Sequence, residues 1–169
     1  MPELGFEVVG VDAVGHGMAP LLHFKLQVSN APADEVLHGL LLQAQIQVQP
    51  VQRSYSGTEQ EKLIELFGPP ERWSQTLRNR LWAHSNATLS GFQGTAEVTL
   101  PVPCSYDLNL LATRYAYALE DGEIPLLFLF SGSVFYMGPG GRLQVQRISW
   151  DKECRYRMPV KVWREAMNQ

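Results

Sequence analysis

Alternation with a period of two dominates the first third of the chain. In residues 20–30, Leu22, Phe24, Leu26 and Val28 fall on one side, and His23, Lys25, Gln27 and Ser29 on the other. Residues 36–52 repeat the pattern, with Leu40, Leu42, Ala44, Ile46 and Val48 set against Gln43, Gln45, Gln47 and Gln49. Successive side chains of a strand point to opposite faces, so both stretches predict half-buried strands. Residues 4–14, with Phe6, Val8 and Val9, predict a first strand, and Gly15-His16-Gly17 a turn after it. Asn30-Ala31-Pro32-Ala33-Asp34 breaks the chain between the second and third strands.

The period then lengthens. Ser56-Gly57-Thr58-Glu59 has the spacing of a capping box, and Leu63, Ile64 and Phe67 continue it as the apolar stripe of a helix. Gly68 predicts its left-handed stop, and Pro70 suits the first turn of a second helix along which Trp73, Leu77 and Leu81 recur every four residues. Strands return at 84–91 and 93–103, with Gly91 and Gly94 flanking a turn. In the second of these, Ala96, Val98, Leu100 and Val102 share a face, while Pro101 and Pro103 either confine it to an edge or end it.

Leu108, Leu111, Tyr115 and Leu119 are spaced for a helix ended by Gly122. Residues 124–137 are apolar on both sides, which predicts a central strand covered on both faces. Gly138-Pro139-Gly140-Gly141 predicts the turn to a partner strand at 143–150. A short strand follows at 153–158, and Pro159 opens a helix bearing Val162, Trp163 and Ala166. The expected fold is a single α+β domain over residues 1–169. It is predominantly antiparallel β-sheet, sandwich-like or strongly bent, with an inserted helical hairpin and a C-terminal helix.

Composition narrows the function more than it identifies it. Charged residues are only 18% and the net charge is −3, with no basic stripe of the kind that displaces counterions from nucleic acid. The most apolar run, Ile124 to Phe130, is far shorter than the roughly 20 residues that cross a bilayer. The expectation is therefore neither nucleic-acid binding nor membrane insertion. The N-terminus lacks the basic and apolar regions of a secretion signal, and neither Cys104 nor Cys154 belongs to a C-x-x-C motif. These features predict a cytoplasmic protein with two free, partly buried thiols.

Candidate chemistry is sparse. His16, His23, His38 and His84 show no metal-ligand spacing, and no phosphate-binding or dinucleotide loop is present. No metal, cofactor or catalytic residue is expected. Ser131-Gly132-Ser133 falls short of a nucleophile elbow. Small residues inside a strand predict a bulge or room for a bulky neighbour.

Three groups are candidates for partner binding. Gln43, Gln45 and Gln47 form an amide-covered strand face, which is either a docking surface or an ordinary wetted face. Glu120, Asp121 and Glu123 lie at a helix C-terminus, where the macrodipole disfavours acids, so this loop is either a receptor for a basic partner or a solvated turn. Trp150, Arg155 and Tyr156 combine residue types favoured at binding hot spots, or else lie along the sheet edge.

Several strings also resemble a bacterial family built on a domain of unknown function. They are Leu66-Phe67-Gly68-Pro69-Pro70-Glu71-Arg72-Trp73, Leu100-Pro101-Val102-Pro103-Cys104-Ser105-Tyr106-Asp107, Ala118-Leu119-Glu120-Asp121-Gly122-Glu123-Ile124-Pro125-Leu126, Phe130-Ser131-Gly132-Ser133-Val134-Phe135 and Trp150-Asp151-Lys152-Glu153, with Pro159-Val160 and Val162-Trp163-Arg164-Glu165 near the end. Genes of that family are commonly found beside those of high-affinity, oxygen-tolerant nickel–iron (NiFe) hydrogenases. The resemblance implies a non-enzymatic accessory role, with a hydrogenase subunit or maturation factor as the partner. It also implies a short segment following the C-terminal helix, beyond Gln169. A homo-oligomer is compatible with it. A holdase-type chaperone for extended polypeptides is the alternative, followed by a small enzyme with an unrecognised site.

Overall fold

The computed structural model describes residues 1–14, 20–104 and 110–167. Among the described residues, eight strands form two antiparallel sheets. The three-stranded sheet has the order β1–β2–β5, built from Glu3–Val14, Leu21–Ala31 and Thr95–Pro103. The five-stranded sheet runs β4–β3–β6–β7, built from Arg80–Gln93, Val36–Val48, Glu123–Met137 and Leu143–Arg147. Its fifth strand, β8 (Glu153–Pro159), pairs with the first half of β6, beyond the end of β7.

The alternation seen in the sequence decides which face of each sheet is inside. Leu22, Phe24, Leu26 and Val28 of β2 are fully buried, as are Leu100 and Val102 of β5. Leu40, Leu42, Ala44, Ile46 and Val48 of β3 meet Val134, Phe130, Phe128 and Leu126 of β6 from within the other sheet. Phe24 joins the layers: its ring makes edge contacts with Phe128 at 5.2 Å, Trp82 at 6.0 Å and Tyr156 at 6.3 Å. Burying a side chain of that size contributes about 1.5–3 kcal/mol, so this inter-sheet layer is the main source of stability.

Helices close one end of the sandwich. Ala112 and Ala116 of α3 (Leu110–Ala118) and Trp163 of α4 (Val160–Met167) pack near Val48, Trp82, Ile124 and Met158, which lie where their strands begin or end. The N–H of Val160 donates to the Gly122 carbonyl at 2.9 Å, and the Arg164 guanidinium donates to the Leu119 carbonyl. The C-terminal helix is thereby tied to the turn that precedes β6.

Several boundaries depart from the sequence reading. The capping box is present, and α1 (Gly57–Phe67) ends at Gly68, whose φ is +77°. The second arm of the expected helical hairpin is only a short 3-10 turn at Pro70–Arg72 and one helical turn, α2 (Trp73–Thr76). Leu81 lies not on that helix but in β4, opposite Gln47, because pairing with β3 outweighs an apolar spacing of four. Pro50–Gln52 forms a 3-10 turn rather than extending β3. β7 stops at Arg147, since the chain turns at Ser149–Lys152 and rejoins β6 as β8. In β1, a register shift between Val8 and Gly10 leaves Val9 facing solvent beside buried Val8. The turn expected at Gly15-His16-Gly17 and the helix start expected at Leu108 lie outside the described residues.

Candidate functional site

The registers assemble the outer face of the five-stranded sheet in rows. His84, Gln45, Leu129 and Glu153 form one row, and Leu81, Gln47, Leu127 and Arg155 the next. In the other direction lie Asn86, Gln43 and Ser131, then Thr88, Leu41, Ser133 and Arg147, then Phe135 beside Val145. The Gln43, Gln45, Gln47 and Arg155 candidates therefore share one surface.

The three glutamines differ in what they can offer. The Gln47 side-chain amide donates to Gln45 Oε1 at 2.8 Å and accepts from Asn79 Nδ2 at 3.2 Å, and both residues are half-buried. Gln43 is exposed, with only a long 3.5 Å bond from Ser131 Oγ.

Beside Gln43 the face sinks into a hollow of about 400 Å³, bordered by Leu41, Gln43, Asn86, Thr88, Ser131, Ser133 and Arg147. Gly132 explains its shape. Its φ is +133°, and a Cβ there would stand 1.9 Å from the Leu41 carbonyl oxygen. The small Ser131-Gly132-Ser133 segment thus admits the backbone of β3 rather than a bulky side chain. Amides, hydroxyls and one guanidinium surround the hollow, with Leu41 half exposed at its side. Such a lining can hydrogen-bond a polypeptide backbone while covering an apolar side chain. Asn86, Thr88 and Arg147 escaped the sequence reading because only the β3–β4 and β6–β7 registers bring them together.

The acidic loop has another role. Arg53 Nη1 donates to the carbonyls of Asp121 at 3.0 Å and Glu123 at 2.9 Å, and Arg53 Nη2 pairs with Glu59 at 3.0 Å. The fully buried Glu59 carboxylate also accepts from the N–H groups of Ser56 at 2.8 Å and Glu120 at 2.8 Å. Lys62 lies 3.8 Å from Glu120. The positive charge that offsets the misfit at the end of α3 is thus the chain's own. Burial opposes ionisation of Glu59, but these donors prevail and hold its carboxyl below the usual range. Arg53 and the doubled use of Glu59 were not legible in the sequence, beyond the capping-box spacing.

Beneath this clip, Tyr55 donates to the Pro50 carbonyl, so the 2.6 Å contact between the two phenols has Tyr115 as donor to Tyr55. Burial pushes Tyr55 up to about 12 and Tyr115 further in the same direction.

Of the remaining candidates, Trp150 is 92% exposed in the turn between β7 and β8. Tyr156 points the other way, into the sandwich against Phe24. Cys104 and Cys154 are free, and burial raises them to about 12 and about 11. Among the described residues, no group of three or more His, Cys, Asp or Glu side chains could hold a metal ion, and no helix is long and apolar enough to cross a membrane.

Similarity to solved structures is remote. A β-glucosidase from Kluyveromyces marxianus aligns with 93% of the chain at 10% identity and a TM-score of 0.32, but the match covers 15% of that enzyme. β-Glucosidase 3B from Thermotoga neapolitana gives 11% identity over 92% of the chain and 17% of its own length, with a TM-score of 0.30. A late embryogenesis abundant (LEA) protein gives 13% identity, 94% and 72% coverage, and a TM-score of 0.35. The chain thus spans well under two thirds of the glucosidases, and at these scores none of the likenesses carries an argument. No curated protein matches it. The sequence pattern of one family does match from residue 1 to residue 169, and the chain belongs to that family of unknown function, DUF6084.

Proposed function

We propose that this protein is a non-catalytic accessory module that docks another polypeptide on the outer face of its five-stranded sheet. The observation that carries this reading is the hollow beside Gln43 and Gly132. Among the described residues no helix lies across this part of the sheet face, and the hollow joins amide and hydroxyl groups to half-exposed Leu41. Polypeptide is the ligand that such a lining complements, since its backbone needs both donors and acceptors. The resemblance noted above supplies the partner class, a nickel–iron hydrogenase subunit or maturation factor.

An affinity capture from cells growing on hydrogen, read by mass spectrometry, tests the proposal. The bait is the full chain beside a Ser131→Arg variant, which places a second cation in the hollow next to Arg147. Hydrogenase structural or maturation proteins should dominate the wild-type capture and fall at least about tenfold with the variant, the effect of losing about 1.4 kcal/mol of binding. Equal capture by both baits would remove the hollow from the interface. A broad set of unrelated unfolded proteins would replace the accessory role with that of a holdase.

A further inference from the structure

We infer that β7 is a self-recognition edge, through which two copies of this chain pair antiparallel about Val145. The inference is independent of the docking reading, and a different residue tests it.

β7 is an outer strand: β6 pairs with one side of it, and among the described residues no strand pairs with the other. The bonds to β6 are fixed at both ends, since Gly138 N–H donates to the Arg142 carbonyl and Ile148 N–H to the Gly132 carbonyl. Alternation along the ladder then directs the polar backbone groups of Gln144 and Gln146 toward β6 and those of Leu143, Val145 and Arg147 outward. An open edge of this kind is a template for a further strand, and it carries none of the prolines that protect β5.

The sequence of the edge selects the occupant. Leu143-Gln144-Val145-Gln146-Arg147 is nearly a palindrome centred on Val145. Two copies related by a two-fold axis through that residue place Val145 against Val145, Gln144 against Gln146 and Leu143 against Arg147. The facing residues on the axis are then those whose N–H and C=O groups point outward, so each Val145 exchanges both bonds with its counterpart. No like charges stand opposite each other, and the two Arg147 side chains lie at opposite ends.

Exposure agrees. Val145 is 62% and Leu143 61% exposed on the outer face, more than a finished surface needs. The same axis carries the 92% exposed Trp150 and the neighbouring Asp151 of one copy toward the turn of the other, where Arg142 is exposed and a side chain on Gly140 or Gly141 would meet open space. An isologous contact of this form closes as a dimer and fuses the two five-stranded sheets into one.

Sedimentation equilibrium of the full chain from about 1 to 300 µM covers the range of a small, weak interface. The average mass should rise toward twice that of the monomer. Val145→Lys sets two ammonium groups against each other on the axis and should stay monomeric, with an unchanged circular dichroism spectrum. Val145→Cys should cross-link under mild oxidation, whereas Leu143→Cys, offset from its own copy, should not. A wild-type chain that is monomeric throughout, a dimer indifferent to Val145→Lys, or faster cross-linking at position 143 would each overturn the inference.

Discussion

Gly132 and Glu59 show how much of this fold depends on single residues. A methyl group on Gly132 would collide with the β3 backbone at a φ that other residues avoid. Gly132→Ala should cost about 3 kcal/mol or more, combining backbone strain with overpacking, and should lower the urea midpoint accordingly. An unchanged midpoint would show that the strands part without penalty.

Glu59→Gln removes the charge opposite Arg53, whose side chain is only 10% exposed, and should cost about 3 kcal/mol near neutral pH, as for other broken buried pairs. The folded state holds the Glu59 carboxyl below its unfolded value. Its contribution is therefore complete above the unfolded pKa of about 4.3 and is lost as pH falls through the lowered folded value. Urea midpoints of the two proteins should be well separated at pH 7 and converge in acid, and a constant gap would reassign the effect to packing.

Among the elements, α1 separates a helix cap from a tertiary clip. Ser56→Ala removes only the hydroxyl that accepts from the Glu59 N–H and should cost about 1 kcal/mol by thermal denaturation, well below Glu59→Gln. Comparable losses would mean that Glu59 acts mainly as a cap. The capping spacing was visible in the sequence because it is local, and so was β2, whose period of two runs without interruption.

Leu81 misled because Trp73, Leu77 and Leu81 satisfy a helical spacing, while what decides their structure is the hydrogen bonding offered by β3. The hollow was harder still. Gln43 and Ser131 could each be singled out, but their adjacency depends on a register between residues 88 apart in sequence. The acidic loop was recognised as unusual from the macrodipole argument, whereas the arginine that resolves it comes from a segment with no sequence signature.

At the scale of the molecule, the two sheets differ in what they present. The outer face of the three-stranded sheet shows His23, Lys25, Gln27 and Ser29, and its edge strand β5 is guarded by Pro101 and Pro103. The five-stranded sheet shows the hollow, exposed apolar side chains and the open β7 edge. Both proposed contacts fall on this sheet, and Ser131→Arg and Val145→Lys separate them.

The position of β6 in the chain has a consequence for biosynthesis. β3 needs β6 as its second neighbour, and that pairing joins Leu37 to Tyr136. While a ribosome is making the intervening residues, the apolar faces of β2 and β3 exist without the strand that completes their core. A nascent chain in that condition is exposed to aggregation, and its closure is slowed by the long loop it must bring together. Folding therefore waits on the synthesis of β6, and a transcript truncated before residue 123 would yield a polypeptide that lacks Ile124, Leu126, Phe128 and Phe130 from its core and has no way to complete it.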